Sequence, residues 1–318
     1  MRPRVLFVCG SLNQTTQLHQ VARELERWDA AFTPYYADPP LDWARQAGLL
    51  EFTILGFKLR QRCLDYLVTH RLTLDLHGRR GGYDHVVTCS DLVVPRNAAR
   101  RRLVAVQEGI LDPLDWTFAL WRRCRWLPRW VAGTAATGLS GRYDRFCVAS
   151  EGYRDLFVRH GAPADRVVVT GIPNFDDCQR YRRNAFPRRG YVLVCSSDAR
   201  ETFKRDDRRA FLARCREIAA GRPLIVKLHP NEDAARAARE VREACPGAEV
   251  FARGSAEEMI ANCDVLITQY SSTAFVGLAL GKEVHSYYDQ TELQRLLPVQ
   301  NRSAARNIAA VCREVVAS

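Results

Sequence analysis

The sequence lacks the glycine-rich motifs with which many α/β proteins hold nucleotide phosphates. Neither GxGxxG nor GxxxxGK[ST] occurs in its 318 residues, which argues against a dinucleotide-dependent dehydrogenase and a P-loop ATPase. No DxD sequence or carboxylate cluster indicates a metal site. We therefore expect neither a metal ion nor a bound cofactor.

Paired cysteines and long apolar runs are also missing. The eleven cysteines are scattered, and no two have the two-residue gap of a zinc or redox motif, which indicates reduced thiols in the cytoplasm. The first apolar run is too short for a signal peptide core, and no stretch approaches the roughly twenty apolar residues of a spanning helix. A soluble or peripheral cytoplasmic protein is expected.

The composition is that of a globular protein with a basic surplus. Hydrophobic residues make up 47% and charged residues 26%, and the formal net charge is +11. The basic residues are spread along the chain, often beside acids, and no RNP, helix-turn-helix or zinc-finger pattern occurs. Nucleic acid is therefore not expected as a partner, and anionic substrates are the simpler account.

Short apolar runs alternate with helical patterns along the first half of the chain. The predicted strands are 5–9, 85–89, 103–106, 145–149 and 167–170, and long helices are predicted over about 15–28 and 52–77. Such alternation is typical of a parallel sheet covered by helices. Residues 1–170 are predicted to form a Rossmann-like acceptor domain.

A second alternating series follows a turn and an arginine-rich linker over 171–189. Its predicted strands are 192–195, 224–228, 249–251, 265–268 and 283–287. We interpret 171–300 as a second Rossmann-like domain, for the donor, and 301–318 as a helix that returns to the first domain. In open parallel sheets ligands bind beyond the carboxyl ends of the strands, so the loops there are the candidates for chemistry.

The first such loop contains Glu108, directly after strand 103–106 and before Gly109. A carboxylate there can remove a proton from a hydroxyl, and the glycine lets another molecule approach closely. A glutamate that merely caps the next helix is the simpler interpretation of this tripeptide alone.

The second loop closes strand 224–228 with Lys227, His229 and Pro230. Pro230 stops the strand and fixes a turn, which we expect to leave Lys227 and His229 on opposite faces, so that one of them reaches the ligand. His229 could donate to a phosphate oxygen and stabilise a departing nucleotide. A lone histidine at a strand end is more often structural.

The third loop carries Ser271, Ser272 and Thr273 between strand 265–268 and a helix. Hydroxyls and free backbone N–H groups at a helix start favour an anion, and capping alone would explain only one serine. We interpret this loop as a phosphate site, with Ser196 and Ser197 as further candidate donors.

Together these loops resemble three motifs of bacterial sialyltransferases and related CMP-sugar transferases of the GT-B fold, including Kdo transferases. The resemblance implies two Rossmann-like domains facing a central cleft. It also implies Glu108 as general base, His229 as a catalytic residue at the donor phosphate, and Ser271 and Ser272 as residues that hold the same phosphate. Because no metal site is expected, Lys227, Thr273, Ser196 and Ser197 are further donor-binding candidates that would supply positive potential, as is Pro230 in the loop of His229. A glycan or lipid-linked acceptor is the implied partner.

Locally, 225–230 and 264–272 are similar to CDP-glycerol glycerophosphotransferases of teichoic-acid and capsule synthesis, as is 171–176, which makes Gly171 a donor-site candidate. That family has a catalytic histidine where this chain has Glu108, a departure that favours a sugar transferase. UDP-GlcNAc 2-epimerases also resemble the chain in places, but have more acidic and histidine residues at the site. A non-catalytic sugar-binding protein is the remaining alternative.

Four tryptophans and four arginines crowd into residues 116–130. Tryptophan favours the headgroup region of a bilayer and arginine is attracted to anionic lipid. Trp121, Arg122, Trp126 and Arg129 are therefore candidates for docking on the inner face of the cytoplasmic membrane. A core helix whose aromatic side packs on the first sheet is an equally good interpretation.

Overall fold

The computed structural model describes residues 2–51, 53–111, 113–124, 126–202 and 206–317. The chain forms two compact units, of which unit 1 is Met1–Asp176 with Pro298–Ser318 and unit 2 is Asp177–Leu297. The first boundary lies six residues beyond the predicted residue 170. Asp176 belongs to unit 1 because its carboxylate accepts from the backbone N–H groups of Asn301, Arg302 and Ala304, at 2.9, 2.8 and 2.7 Å.

Unit 1 is built on a six-stranded parallel sheet in the order β2-β1-β3-β4-β5-β6. The strands are β1 Arg4–Cys9, β2 Asp29–Pro34, β3 His85–Thr88, β4 Arg102–Val106, β5 Arg145–Val148 and β6 Val167–Val169. The helices are α1 Leu12–Arg23, α2 Leu41–Gln46, α3 Phe57–Thr69, α4 Arg96–Ala99, α5 Trp116–Arg123, α6 Glu151–His160 and α12 Ala304–Ala317.

The core of unit 1 is a layer of apolar side chains between the sheet and its helices. Phe7, Val87 and Val104 come from three neighbouring strands, and Leu18 of α1 packs with them. On α12 the buried residues recur at helical spacing, from Ala304 through Ile308 to Cys312 and Val315. This apolar stripe places the C-terminal helix on unit 1, where it packs against α1, β4 and β5.

Unit 2 repeats the same principle with five parallel strands in the order β11-β10-β7-β8-β9. The strands are β7 Val192–Cys195, β8 Leu224–Lys227, β9 Glu249–Phe251, β10 Val265–Thr268 and β11 Glu283–His285. The helices are α7 Arg208–Ala219, α8 Ala234–Ala244, α9 Ala256–Asn262, α10 Thr273–Ala279 and α11 Gln290–Leu296. Its strands contribute a core of valine and isoleucine side chains.

Two elements of unit 1 differ from the sequence-based expectation. Strand β2 was not predicted, because an aspartate and a proline bound its short apolar stretch. The long helix predicted over 52–77 is shorter, since α3 begins after Gly56 and the chain turns at Arg71, where φ is +55°. Within the described part of the chain, every helix is too short or too polar to span a bilayer.

Candidate functional site

Glu108 lies at the carboxyl end of β4, in a loop that Gln107 holds in place. Gln107 is 1% exposed. Its backbone N–H donates to the carbonyl of Cys147, and its side chain donates to the carbonyl of Gly109 and accepts from the N–H of Ala149. The backbone on both sides of Glu108 is thus fixed to β5 and to the chain that follows it.

The carboxylate of Glu108 is held by three side chains from the start of α1. Ser11 Oγ donates to Oε1 at 2.7 Å, Gln14 Nε2 donates to Oε2 at 2.5 Å, and Asn13 Nδ2 lies 3.5 Å from Oε1. Gly10 makes this possible, because a Cβ there would lie 2.0 Å from Gln14 Oε1. All three donors are neutral, and the half-buried carboxylate forms no ion pair with a described residue.

Asn174 fixes the position of Asn13 through hydrogen bonds. Its Nδ2 donates to Asn13 Oδ1 at 2.6 Å and to the Asn13 carbonyl at 2.8 Å, while its Oδ1 accepts from Gln20 Nε2 at 2.8 Å. Asn174 belongs to the segment 171–176 that the sequence assigned to the donor. In the structure this segment orients the residues that hold Glu108.

The same segment has a structural reason for Gly171, whose predicted place in donor binding stays a prediction. Gly171 has φ +75°, and a Cβ there would lie 3.1 Å from the Cβ of Ala304. The glycine therefore serves a turn and a close approach to the start of α12 in unit 1.

In unit 2, His229 follows β8 and keeps 36% of its side chain exposed. Its Nδ1 accepts from the backbone N–H of Asn231 at 3.3 Å and lies 3.5 Å from Asp198 Oδ2. Nε2 has no hydrogen-bond partner among the described residues. The ring is therefore oriented through one nitrogen and can donate or accept through the other.

A buried carboxylate fixes the backbone of His229. Glu232 Oε2 accepts from the His229 N–H at 2.8 Å and from Ser196 Oγ, and Oε1 accepts from Arg208 Nη2 at 2.7 Å. Arg208 is 7% exposed and also lies 3.2 Å from Asp206. Ser196 thus helps to hold the loop after β8, and its predicted contact with a phosphate stays a prediction.

The loops after β7 and β10 are joined by amide and hydroxyl groups. Ser197 Oγ donates to Gln269 Oε1, and Gln269 Nε2 donates to Asp206 Oδ1 at 2.8 Å. Because β7 pairs with both β8 and β10, the loops that carry Ser197, His229 and Gln269 lie at neighbouring positions of one sheet edge. Ser197 itself is half-buried.

The third predicted loop opens α10 with its hydroxyls at the surface. Thr273 Oγ1 donates to Ser271 Oγ at 2.9 Å, and the Thr273 N–H approaches the same oxygen at 3.3 Å. Ser272 is the first residue before α10, and its side chain makes no capping hydrogen bond. The Ser272 hydroxyl thus remains available to a ligand.

Lys227 is the last residue of β8 and is buried, whereas His229 lies beyond the strand and is partly exposed. Lys227 is 5% exposed, and its Nζ donates to the carbonyl of Leu228 at 2.7 Å. Burial lowers the pKa of Lys227, and nearby acidic groups oppose that effect in part. Lys227 thus has a structural contact at the end of β8, and its role in binding the donor stays a prediction. Pro230 is exposed and lies beyond the end of the strand.

Two of the four predicted docking residues also face inward. Trp121 is 4% exposed and packs in a small core with Phe118, and Arg129 Nη2 donates to the carbonyl of Asp91 at 2.9 Å. Trp126 and Arg122 are exposed. Arg125, which also falls in this segment, lies outside the described residues.

The three residues that hold Glu108 were not predicted as functional. Ser11, Asn13 and Gln14 follow β1, which is two strands away from β4 in the sheet order. The available signal was the polar Gly10-Ser11 step at the carboxyl end of a buried strand. Among the residues that the structure describes, no group of three or more His, Cys, Asp or Glu side chains is placed to hold a metal ion.

No protein-family model and no curated protein matches this chain, but solved structures match it over its whole length. UDP-GlcNAc 2-epimerase from Neisseria meningitidis, bound to UDP-GlcNAc, is 12% identical with a TM-score of 0.59, over 98% of this chain and 100% of that chain. The Methanocaldococcus jannaschii UDP-GlcNAc 2-epimerase, in complex with UDP-GlcNAc and UDP, is 12% identical with a TM-score of 0.56, over 99% of this chain and 93% of that chain.

The Anabaena protein HepE in complex with UDP is 15% identical with a TM-score of 0.54, over 99% of this chain and 90% of that chain. At such identities the likeness concerns the fold. It confirms the predicted α/β class, with two Rossmann-like units of the GT-B type.

Proposed function

We propose that this chain is a glycosyltransferase that moves a sugar from a nucleotide-activated donor to a hydroxyl group of an acceptor. The observation that carries the proposal is the environment of Glu108, a half-buried carboxylate at a strand end, oriented by Ser11 and Gln14 and paired with no described cation. A carboxylate so placed suits the role of general base, since its neighbours orient it without forming an ion pair with it.

Glu108 of unit 1 is assigned to the acceptor hydroxyl. Glu108 removes the proton of the acceptor hydroxyl as that oxygen forms a bond to the anomeric carbon. The bond from the anomeric carbon to the phosphate oxygen breaks, and the leaving nucleotide takes its electron pair. Positive charge grows on the sugar ring and negative charge on the phosphate in the transition state.

The leaving phosphate is assigned to the loops of unit 2. His229 has Nε2 available, and Ser272 has a hydroxyl without a capping bond. Ser197 and Ser271 lie in loops at the carboxyl edge of the same sheet. Hydrogen bonds from such groups stabilise the charge that develops on the nucleotide.

For the donor we favour a CMP-activated acidic sugar, such as a sialic acid or Kdo, and for the acceptor a cell-surface glycan or a lipid-linked sugar. The order of the three motifs, with a glutamate at position 108, supports this choice. Epimerisation of UDP-GlcNAc is the second candidate, because the similar solved structures include UDP-GlcNAc 2-epimerases.

A donor panel separates these activities. CMP-sialic acid, CMP-Kdo, CDP-glycerol and UDP-GlcNAc are each added to the full chain, and thermal stabilisation and release of nucleotide are measured. We expect a CMP-sugar to raise the unfolding temperature and to be hydrolysed slowly without acceptor. His229→Ala should abolish the stabilisation, whereas His70→Ala, which changes an exposed histidine of unit 1, should preserve it.

The other outcomes are equally clear. Conversion of UDP-GlcNAc to ManNAc would establish the epimerase alternative, and consumption of CDP-glycerol would identify a polyol-phosphate transferase. If none of the four compounds stabilises the protein or is consumed, the proposal is wrong.

A further inference from the structure

Helix α5 has two apolar sides, of which the fold uses one. Phe118 and Trp121 are 3% and 4% exposed and pack with three alanines from the following 3₁₀ segment, Ala132, Ala135 and Ala136. These contacts stabilise the helix from one side. Asp115 also caps its first turn by accepting from the backbone N–H groups of Thr117 and Phe118.

The opposite side of α5 exposes large apolar side chains. Trp116 is 74% exposed and Leu120, one turn later, is 40% exposed. Beyond the helix, Trp126 and Trp130 are 82% and 47% exposed. Isolated exposed apolar residues are ordinary, but three exposed tryptophans and an exposed leucine within fifteen residues form a cluster along the sequence, and no contact among the described residues covers them.

Two arginines accompany this cluster. Arg122 and Arg123 are exposed on α5, and neither forms an ion pair with a described residue. Their charges are therefore available to an anionic partner, and they add to the formal net charge of +11 that the whole chain carries.

We propose that this cluster, formed by Trp116, Leu120, Arg122, Arg123, Trp126 and Trp130 and called here the Trp–Arg surface, docks on an anionic lipid membrane. Indole rings favour the headgroup region, where their apolar body and N–H group are both satisfied. Each arginine close to an anionic surface adds attraction.

The length of α5 determines how it meets the bilayer. It has eight residues, about 12 Å at 1.5 Å per residue, far less than the thickness of a bilayer. The Trp–Arg surface therefore binds in the plane of the interface. Charge complementarity favours an anionic lipid surface over a neutral protein partner, because Arg122 and Arg123 are exposed in the same segment as the tryptophans and form no ion pair with a described residue.

Co-sedimentation with vesicles tests the proposal directly. The full chain is mixed with vesicles of phosphatidylcholine alone or with phosphatidylglycerol added, at low salt and at about 0.5 M salt. We expect binding to the phosphatidylglycerol vesicles that weakens with salt. Arg122→Gln with Arg123→Gln should lower the partition coefficient about thirtyfold on anionic vesicles.

Trp116→Ala with Trp126→Ala should lower it by at least about tenfold. Trp43→Ala is the matched control, because Trp43 lies on α2 and is 65% exposed, and it should bind like the wild type. All variants should unfold at the wild-type temperature, since the altered side chains are exposed.

Three results would overturn the proposal: no sedimentation of the wild type with anionic vesicles at low salt, unchanged binding by both double variants, or equal loss with Trp43→Ala. Gel filtration tests the other possible occupant, a second copy of this chain, by measuring the oligomeric state. If the tryptophan variant converts a dimer to a monomer while vesicle binding is absent, the Trp–Arg surface joins two copies of this chain instead.

Discussion

Glu108 and Glu232 are two carboxylates that follow parallel strands in different units, and their surroundings are opposite. Glu108 is half-buried and accepts from the neutral side chains of Ser11, Asn13 and Gln14. The side chain of Glu232 is fully buried and pairs with Arg208 at 2.7 Å. Glu108 is oriented by neutral donors only, whereas Glu232 forms an ion pair with an arginine.

The comparison separates a group available for proton transfer from one that maintains a loop. A buried ion pair is costly to break, since removal of one partner leaves the other charge desolvated. Glu232 in addition accepts from the N–H of His229, so Glu232 helps to position the histidine that we assign to the donor phosphate. Catalysis and stability should therefore respond differently when each carboxylate is changed.

The largest effect should come from Glu108→Gln. The amide keeps the size of the side chain and one oxygen for Ser11, but it cannot take a proton from an acceptor. We expect kcat/KM to fall by about 10²- to 10⁴-fold, with the unfolding temperature nearly unchanged. The rate is measured with whichever donor the panel identifies.

Glu151→Gln is the control for Glu108→Gln, because Glu151 is an exposed carboxylate at the start of α6 with 71% of its side chain accessible. It should retain wild-type kcat/KM. If Glu108→Gln keeps more than half of the wild-type rate, or loses it only by unfolding, Glu108 is not the base.

The next effect is on stability and comes from Glu232→Ala. Removal of this carboxylate leaves the buried Arg208 with Asp206 as its acidic partner, and leaves the N–H of His229 with Ser196 Oγ, at 3.1 Å, as its acceptor. We expect a loss of about 3 kcal/mol in the free energy of unfolding, the scale for a broken buried pair. Denaturant titration measures it.

A double-mutant cycle with Arg208→Met sharpens this result. When the arginine is removed as well, the uncompensated charge disappears, so the double variant should be more stable than the sum of the two losses predicts. Strict additivity of the two changes would mean that Glu232 and Arg208 are not energetically coupled.

The sequence predicted the strands of both units well, because most of them are short apolar runs buried on both sides. All five strands of unit 2 were identified, and β2 of unit 1 was missed because its six residues begin with aspartate and end with proline. Local patterns thus determine most of the fold.

The candidate site was harder, because its partners are distant in the chain. Ser11 and Glu108 are separated by 97 positions and meet only because β1, β3 and β4 are neighbours in the sheet. Likewise, the spacing of the tryptophans did not reveal that Trp121 turns inward while Trp116 turns outward. Those outcomes depend on which side of α5 meets the alanines after it.

The smallest effect concerns Lys227, the buried last residue of β8. Lys227→Met exchanges one hydrogen bond to the Leu228 carbonyl for relief of a buried charge. These opposing terms should leave the free energy of unfolding within about 1 kcal/mol of the wild type at neutral pH, and donor binding should persist because the lysine does not reach the surface.

The pH dependence of the stability difference between the wild type and Lys227→Met tests whether burial of Lys227 is costly. Burial lowers the pKa of Lys227 in the folded chain, so the unfolded chain holds this proton to higher pH. The wild type should therefore gain stability relative to Lys227→Met as the pH rises through the lowered pKa towards 10.5, the ordinary lysine value. Denaturant titrations of both proteins across this range measure the difference, and a relative loss of wild-type stability would contradict a lysine buried at a cost.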